Sequence, residues 1–164
     1  MDDFFDFAYK FRIFTPLCPA HLFIHYRQCH NVQMVVVNRS AGYACHLHGG
    51  KETAFISPVY EQRADVSAPV RNITDGTAAG FRFLQFGMNS PKTVTLIAAA
   101  DEEARVSVRL DTAGGKEIAS LAVGKGRTES TARLNCGVTG RHAVYFVFRT
   151  GEGKAEFDRF TFDD

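Results

Sequence analysis

Ala104-Arg-Val-Ser-Val-Arg-Leu-Asp111, then Gly114-Gly115, Glu117 to Val123, Gly140-Arg-His-Ala-Val-Tyr-Phe-Val-Phe-Arg149 and Glu156-Phe-Asp-Arg-Phe-Thr-Phe162, decide the fold class. Val106, Val108 and Leu110 alternate with Ser107 and Arg109, the period of a strand with one buried face. Ala143 to Phe148 is apolar on both faces, which suits a central strand. Gly and Asp clusters separate the runs. Short strands punctuated in this way predict an all-β sandwich or barrel.

Upstream, Thr93 to Ala99 is a further strand, and Phe81 and Phe83 begin another. Asn72-Ile-Thr-Asp-Gly76 reads as a turn with Asp75-Gly76 at its tip. Val32 to Val37, Tyr43 to His48 and Thr53 to Ile56 are short strand candidates. Lys125 to Thr131 reads as a polar loop. At the start, Phe5, Phe7, Tyr9, Phe11 and Ile13 alternate with polar residues, which favours a strand that Pro16 and Pro19 then break. Such an aromatic strand is a candidate for self-association. Pro58 is the best position for a boundary. Residues 1–164 then form one β-sandwich domain, with 1–58 an atypical extension or remnant and 59–164 the regular part.

A chain of 164 residues is long enough for one domain with a real core. Its apolar content of 45% and charged content of 23% argue against disorder. A formal charge of +1 gives no global electrostatic case for nucleic acid. No apolar run approaches a membrane span. The acidic opening Met1-Asp-Asp-Phe-Phe-Asp6 shows no signal peptide.

The chemistry-bearing groups are diffuse. Cys18, His21, His25, Cys29, His30, Cys45, His46 and His48 are potential zinc ligands, but no Cys-x2-Cys pair is present. Buried thiols and ordinary histidines are the simpler account. Spacing alone does not choose between bridges and free thiols for Cys18, Cys29, Cys45 and Cys136. No Gly-x-Ser-x-Gly elbow occurs, and the glycine pairs lack the strand-to-helix setting of a phosphate loop. Asp158 lies in an otherwise aromatic strand. If it shares a face with Phe160 and Phe162, its carboxylate needs a partner, either calcium or a hydrogen-bond cluster; a surface or salt-bridged aspartate is the simpler account.

The segment from about residue 70 to 164 resembles carbohydrate-binding module family 6, including the C-terminal modules of family 43 glycoside hydrolases. The resemblance rests on Ile73-Thr-Asp-Gly76, Arg109-Leu-Asp111 before a glycine turn, Gly140-Arg-His142 opening an aliphatic-aromatic strand, and Phe157-Asp-Arg-Phe-Thr-Phe162. It implies a jelly-roll β-sandwich of the galactose-binding-domain kind that is not an enzyme. It also implies binding of plant or microbial polysaccharide, with a secondary site on the concave sheet face. The alternative is a structural or protein-interaction sandwich without sugar binding. An appendage of a secreted hydrolase would be extracellular or periplasmic.

Such modules stack a sugar between two aromatics at the loop end, with an asparagine of the closing strand holding hydroxyls. The corresponding positions here are Asn72, the Gly124–Arg133 segment with Lys125, Arg127 and Glu129, and Glu156. The sugar-contact candidates are therefore Asn72, Lys125, Arg127 and Glu156, with Tyr43 and Tyr60 as stacking residues; Tyr145 and Phe148 are further rings, more simply read as core at this density of aromatics. The resemblance also implies one structural calcium ion, for which Asp158 and Glu61 are the candidate ligands.

Overall fold

In a computed structural model, the residues described are 37–57 and 68–164, all within the compact unit that spans 33–164. They form β1 (Val37–Ser40), a 3-10 turn (Ala41–Tyr43), β2 (His46–His48), β3 (Phe55–Ile56), β4 (Val70–Ile73) and β5 (Ala78–Gln85). There follow β6 (Thr93–Ala100), β7 (Ala104–Leu110), β8 (Glu117–Val123), β9 (Gly126–Arg133), β10 (Arg141–Arg149) and β11 (Ala155–Asp163). Each pairing among them is antiparallel. One sheet runs β3-β4-β11-β6-β9, with β1 also on β11; the other runs β2-β5-β10-β7-β8. The result is a two-sheet sandwich, as the alternating runs predict.

Alternation places the core. Val94, Leu96, Ala98 and Ala100 of β6 point inward, as do Val106 and Val108 of β7 and Val144, Phe146 and Phe148 of β10. Phe81, Phe146, Phe157 and Phe160 form the centre; Phe146 and Phe160 have ring centroids 4.7 Å apart, and Phe81 and Phe160 4.8 Å. Rings at these separations add to the large apolar area they bury. Much of the phenylalanine in the sequence is used here.

Several elements differ from expectation. Gly126–Arg133 is a strand, not a loop, paired along its length with β6. Thr128, Ser130 and Ala132 are its half-buried small residues, while Arg127, Glu129, Thr131 and Arg133 are exposed. Polar side chains suit an edge strand, and the lack of branched apolar residues gives it a loop-like composition. β1 begins at Val37, where the expected strand ended; residues 32–36 lie outside the described part. Residues 37–56 supply β1 and β3 to one sheet and β2 to the other.

The closing strand also decides which face Asp158 takes. A register shift between Phe157 and Arg159 makes Asp158 the extra residue of a β-bulge against β6. The buried residues therefore step from Phe157 to Phe160, and Asp158 does not share the core face with Phe160 and Phe162. A bulge re-aims side chains in this way.

Candidate functional site

A second bulge adjoins the first. Ala155 pairs with Ile73 and Phe157 with Val70, so Arg71 and Asn72 together oppose Glu156. Asn72 has the left-handed φ of 58°, a conformation asparagine tolerates better than most residues. Arg71 Nε donates to Glu156 Oε1 at 3.2 Å. Asn72 Nδ2 donates to the Thr53 carbonyl at 3.1 Å, and its Oδ1 accepts from Lys154 Nζ at 2.9 Å. Lys154 Nζ also reaches Glu52 at 2.7 Å. Hydrogen bonds donated by Lys154 and then by the Asn72 amide hold Glu52 below the ordinary glutamate range.

Register extends this cluster across the sheet. Glu156 is opposite Ala99, and Ala99 is opposite Arg127. Arg127 Nη2 donates to Asp158 Oδ2. On the other side, Phe55 of β3 is opposite Arg71. Directly opposed residues share a face, so the outer face of this sheet carries a row Phe55, Arg71, Glu156, Ala99, Arg127. Neighbouring strands lie about 4.8 Å apart, so the row is about 19 Å long. Its charges balance: Arg71 against Glu156, Arg127 against Asp158, and Lys154 against Glu52.

Four of the expected site residues meet here: Asn72, Arg127, Glu156 and Asp158. Lys125 is exposed in the turn between β8 and β9, one residue before Arg127's strand begins. Tyr43 is half exposed at the crossover from β1 to β2, on a different element. Tyr60 and Glu61 lie outside the described residues, as do the aromatic segment expected as an N-terminal strand, Cys18 and Cys29. Cys45 and Cys136 are free thiols. Phe55 and Arg71 were missed by sequence reasoning; the strand at Thr53 to Ile56 was visible, but its partner was not.

The expected calcium ligands do not make a cage among the described residues. Calcium takes six to eight oxygens, yet no group of three or more His, Cys, Asp or Glu side chains gathers there. The guanidinium of Arg127 occupies the Asp158 carboxylate instead. The zinc hypothesis likewise finds no ligand cluster around Cys45, His46 and His48 among the described residues.

The outer face of the other sheet is differently built. His46 is opposite Gly80, Gly80 opposite Tyr145, and Tyr145 opposite Arg109. Tyr145 is only 5% exposed, and its ring lies 6.4 Å from His46 and 6.3 Å from His48. Phe148 is wholly buried. Neither ring presents a face to a ligand, in agreement with their reading as core residues rather than stacking platforms. Phe83 is 53% exposed because a register shift in the β5–β10 pairing turns it outward. Arg141 covers its ring, with the guanidinium carbon 4.2 Å from the centroid.

Comparison with known proteins agrees with the fold. The model of the carbohydrate binding module (family 6) matches residues 57–164. No curated protein matches the sequence. CsCBM6-3 from Clostridium stercorarium, solved with cellobiose, superposes with a TM-score of 0.65 at 19% identity, covering 82% of this chain and 98% of that one. A family 43 arabinoxylan arabinofuranohydrolase from Bacillus subtilis, solved with cellotetraose, superposes with a TM-score of 0.58 at 25% identity. That match covers 68% of this chain but 24% of the enzyme. Module CBM36, solved with calcium and xylotriose, gives a TM-score of 0.54 at 16% identity, covering 76% and 97%.

Proposed function

Because the chain belongs to family 6 of the carbohydrate-binding modules, which are non-catalytic, we propose that it binds a neutral polysaccharide through the outer face of the six-stranded sheet. The observation that carries this assignment is the convergence of Asn72, Glu156 and Arg127 from three strands onto one open face. Carboxylates accept from sugar hydroxyls, and guanidinium, ammonium and amide groups donate to them. The side chains are already held by one another, so little ordering entropy is lost on binding.

Balanced charge supports a neutral ligand. A polyanion would meet Glu156, Asp158 and Glu52 as well as the three cations. The family supplies non-catalytic binding, and the partial overlap with an arabinofuranohydrolase supports a role as an appendage of a glycoside hydrolase. Such an enzyme meets its polysaccharide outside the cytoplasm, so the module is assigned to the extracellular space or periplasm; cell fractionation tests that placement. Calcium enters only through Asp158 and Glu61. The metal in the CBM36 relative supports it, and Arg127's hold on Asp158 opposes it. A melting temperature raised by calcium and lowered by chelator would favour the ion.

Affinity electrophoresis on xylan, arabinan, β-glucan and a polyuronate tests the main assignment. Retention on at least one neutral glycan, little altered by salt, is expected. No retention on any of them overturns it and favours the structural or protein-interaction alternative.

A further inference from the structure

The stacking ring expected at the loop end is missing from the positions the family resemblance assigns to it: Asn72 and the Lys125–Glu129 segment contain no aromatic. Sugar hydroxyls on the polar row would be bound, but the apolar face of the ring would have nothing to pack on. Among the described residues Tyr43, Phe55 and Phe83 are the half-exposed phenyl and phenol rings. Phe83 is covered by Arg141. Tyr43 lies in the crossover turn. Phe55 is 49% exposed and carries no ring or guanidinium over its face among the described residues. It stands in register with Arg71 at the end of the polar row.

Resting on the glycan-binding assignment above, we infer that Phe55 is the stacking platform of this site. The platform is thus supplied by a two-residue edge strand that precedes the family-matched segment, residues 57–164. A ring of the glycan packs on Phe55, and the chain continues across the strands over Arg71 and Glu156 towards Ala99 and Arg127. Ala99 is the small floor between the two charged residues, leaving room for a sugar to approach both. A row of about 19 Å selects a linked oligosaccharide over a monosaccharide.

β3 is held at the correct place by two attachments. Ser57 N donates to the Pro69 carbonyl at 2.8 Å just beyond the strand. Before it, Asn72 clasps the Thr53 carbonyl, and the amides of Lys51 and Glu52 both donate to Thr74 Oγ1, at 2.9 and 3.3 Å. Asn72 therefore acts as a positioning residue: its amide fixes the segment that carries Phe55. Replacing Asn72 alters the platform's position as well as the polar row.

The sequence lacks tryptophan, so Phe55→Trp introduces a single indole reporter at the proposed platform. Titration of this variant with the neutral oligosaccharide that corresponds to the retaining polymer should shift its indole emission saturably while retention persists. Phe55→Ala should weaken retention about tenfold or more and leave the melting temperature close to that of the wild type. Undiminished retention of Phe55→Ala, or unmoved indole emission from Phe55→Trp at saturating oligosaccharide, overturns the inference while glycan binding stands. If no glycan retains the wild type, the binding assignment fails first and the inference falls with it.

Discussion

The two outer faces of the sandwich treat a small residue in opposite ways. On the five-stranded sheet, Gly80 lies under the ring of Tyr145, so closely that a Cβ there would sit 2.5 Å from the ring. His46 and His48 flank the same ring. The missing side chain is filled from the neighbouring strand, and the surface is closed. On the six-stranded sheet, Ala99 lies between Glu156 and Arg127 with no ring above it among the described residues, and remains partly exposed. There the small residue leaves space. A small residue thus serves packing on one face and access on the other, and its cross-strand partners decide which.

The largest effect should come from breaking the closed face. Gly80→Val forces the Tyr145 ring to move and should destabilise the fold by about 1–3 kcal/mol. Urea unfolding measures this, and unchanged stability would show that the ring has another place to go. Because Gly80 is on the opposite sheet, glycan retention by the folded fraction should persist.

The open face should respond in the converse manner. Glu156→Ala removes an acceptor and releases Arg71, so affinity should fall about tenfold, equivalent to about 1.4 kcal/mol. Stability should change by less than about 1 kcal/mol, as is usual for an exposed ion pair. Loss of stability without loss of affinity would make Glu156 a structural residue only.

The smallest effect concerns pH. Glu52 is held below its ordinary range by Lys154 and Asn72. Its contribution is therefore complete above the ordinary glutamate range and is lost as pH falls through the lowered value. Acidification should loosen the segment before β3, so the amides of Lys51 and Glu52 should lose protection from hydrogen exchange once intrinsic rates are corrected for pH. Glu52→Gln should show the same loss already at neutral pH. Protection that is unchanged in both cases would separate the carboxylate from the attachment of this segment.

Much of the fold was legible because β6 and β7 carry clear apolar alternation and β10 and β11 are dense in apolar and aromatic residues. β9 was not, since Thr128, Ser130 and Ala132 pair well at an edge without an apolar pattern. A salt-bridged Asp158 was the simpler sequence reading and its pair with Arg127 agrees with it, but the bulge that takes it off the core face shifts alternation by one residue, which simple periodicity does not report. The candidate site residues Asn72, Arg127 and Glu156 were reached through the family resemblance. Phe55 and Arg71 were not, because their proximity arises from pairing between β3 and β4 across residues 57–69, which local periodicity does not report.

Backbone amide mapping by NMR during titration with a neutral oligosaccharide tests the central claim most directly. The expected shifts fall on Phe55, Arg71, Asn72, Glu156, Ala99 and Arg127, with the strands around Gly80 and Tyr145 little changed. Shifts confined to Gly80, Phe83, Tyr145 and their neighbours, or none at saturating ligand, would contradict the assignment of the six-stranded face as the glycan-binding surface.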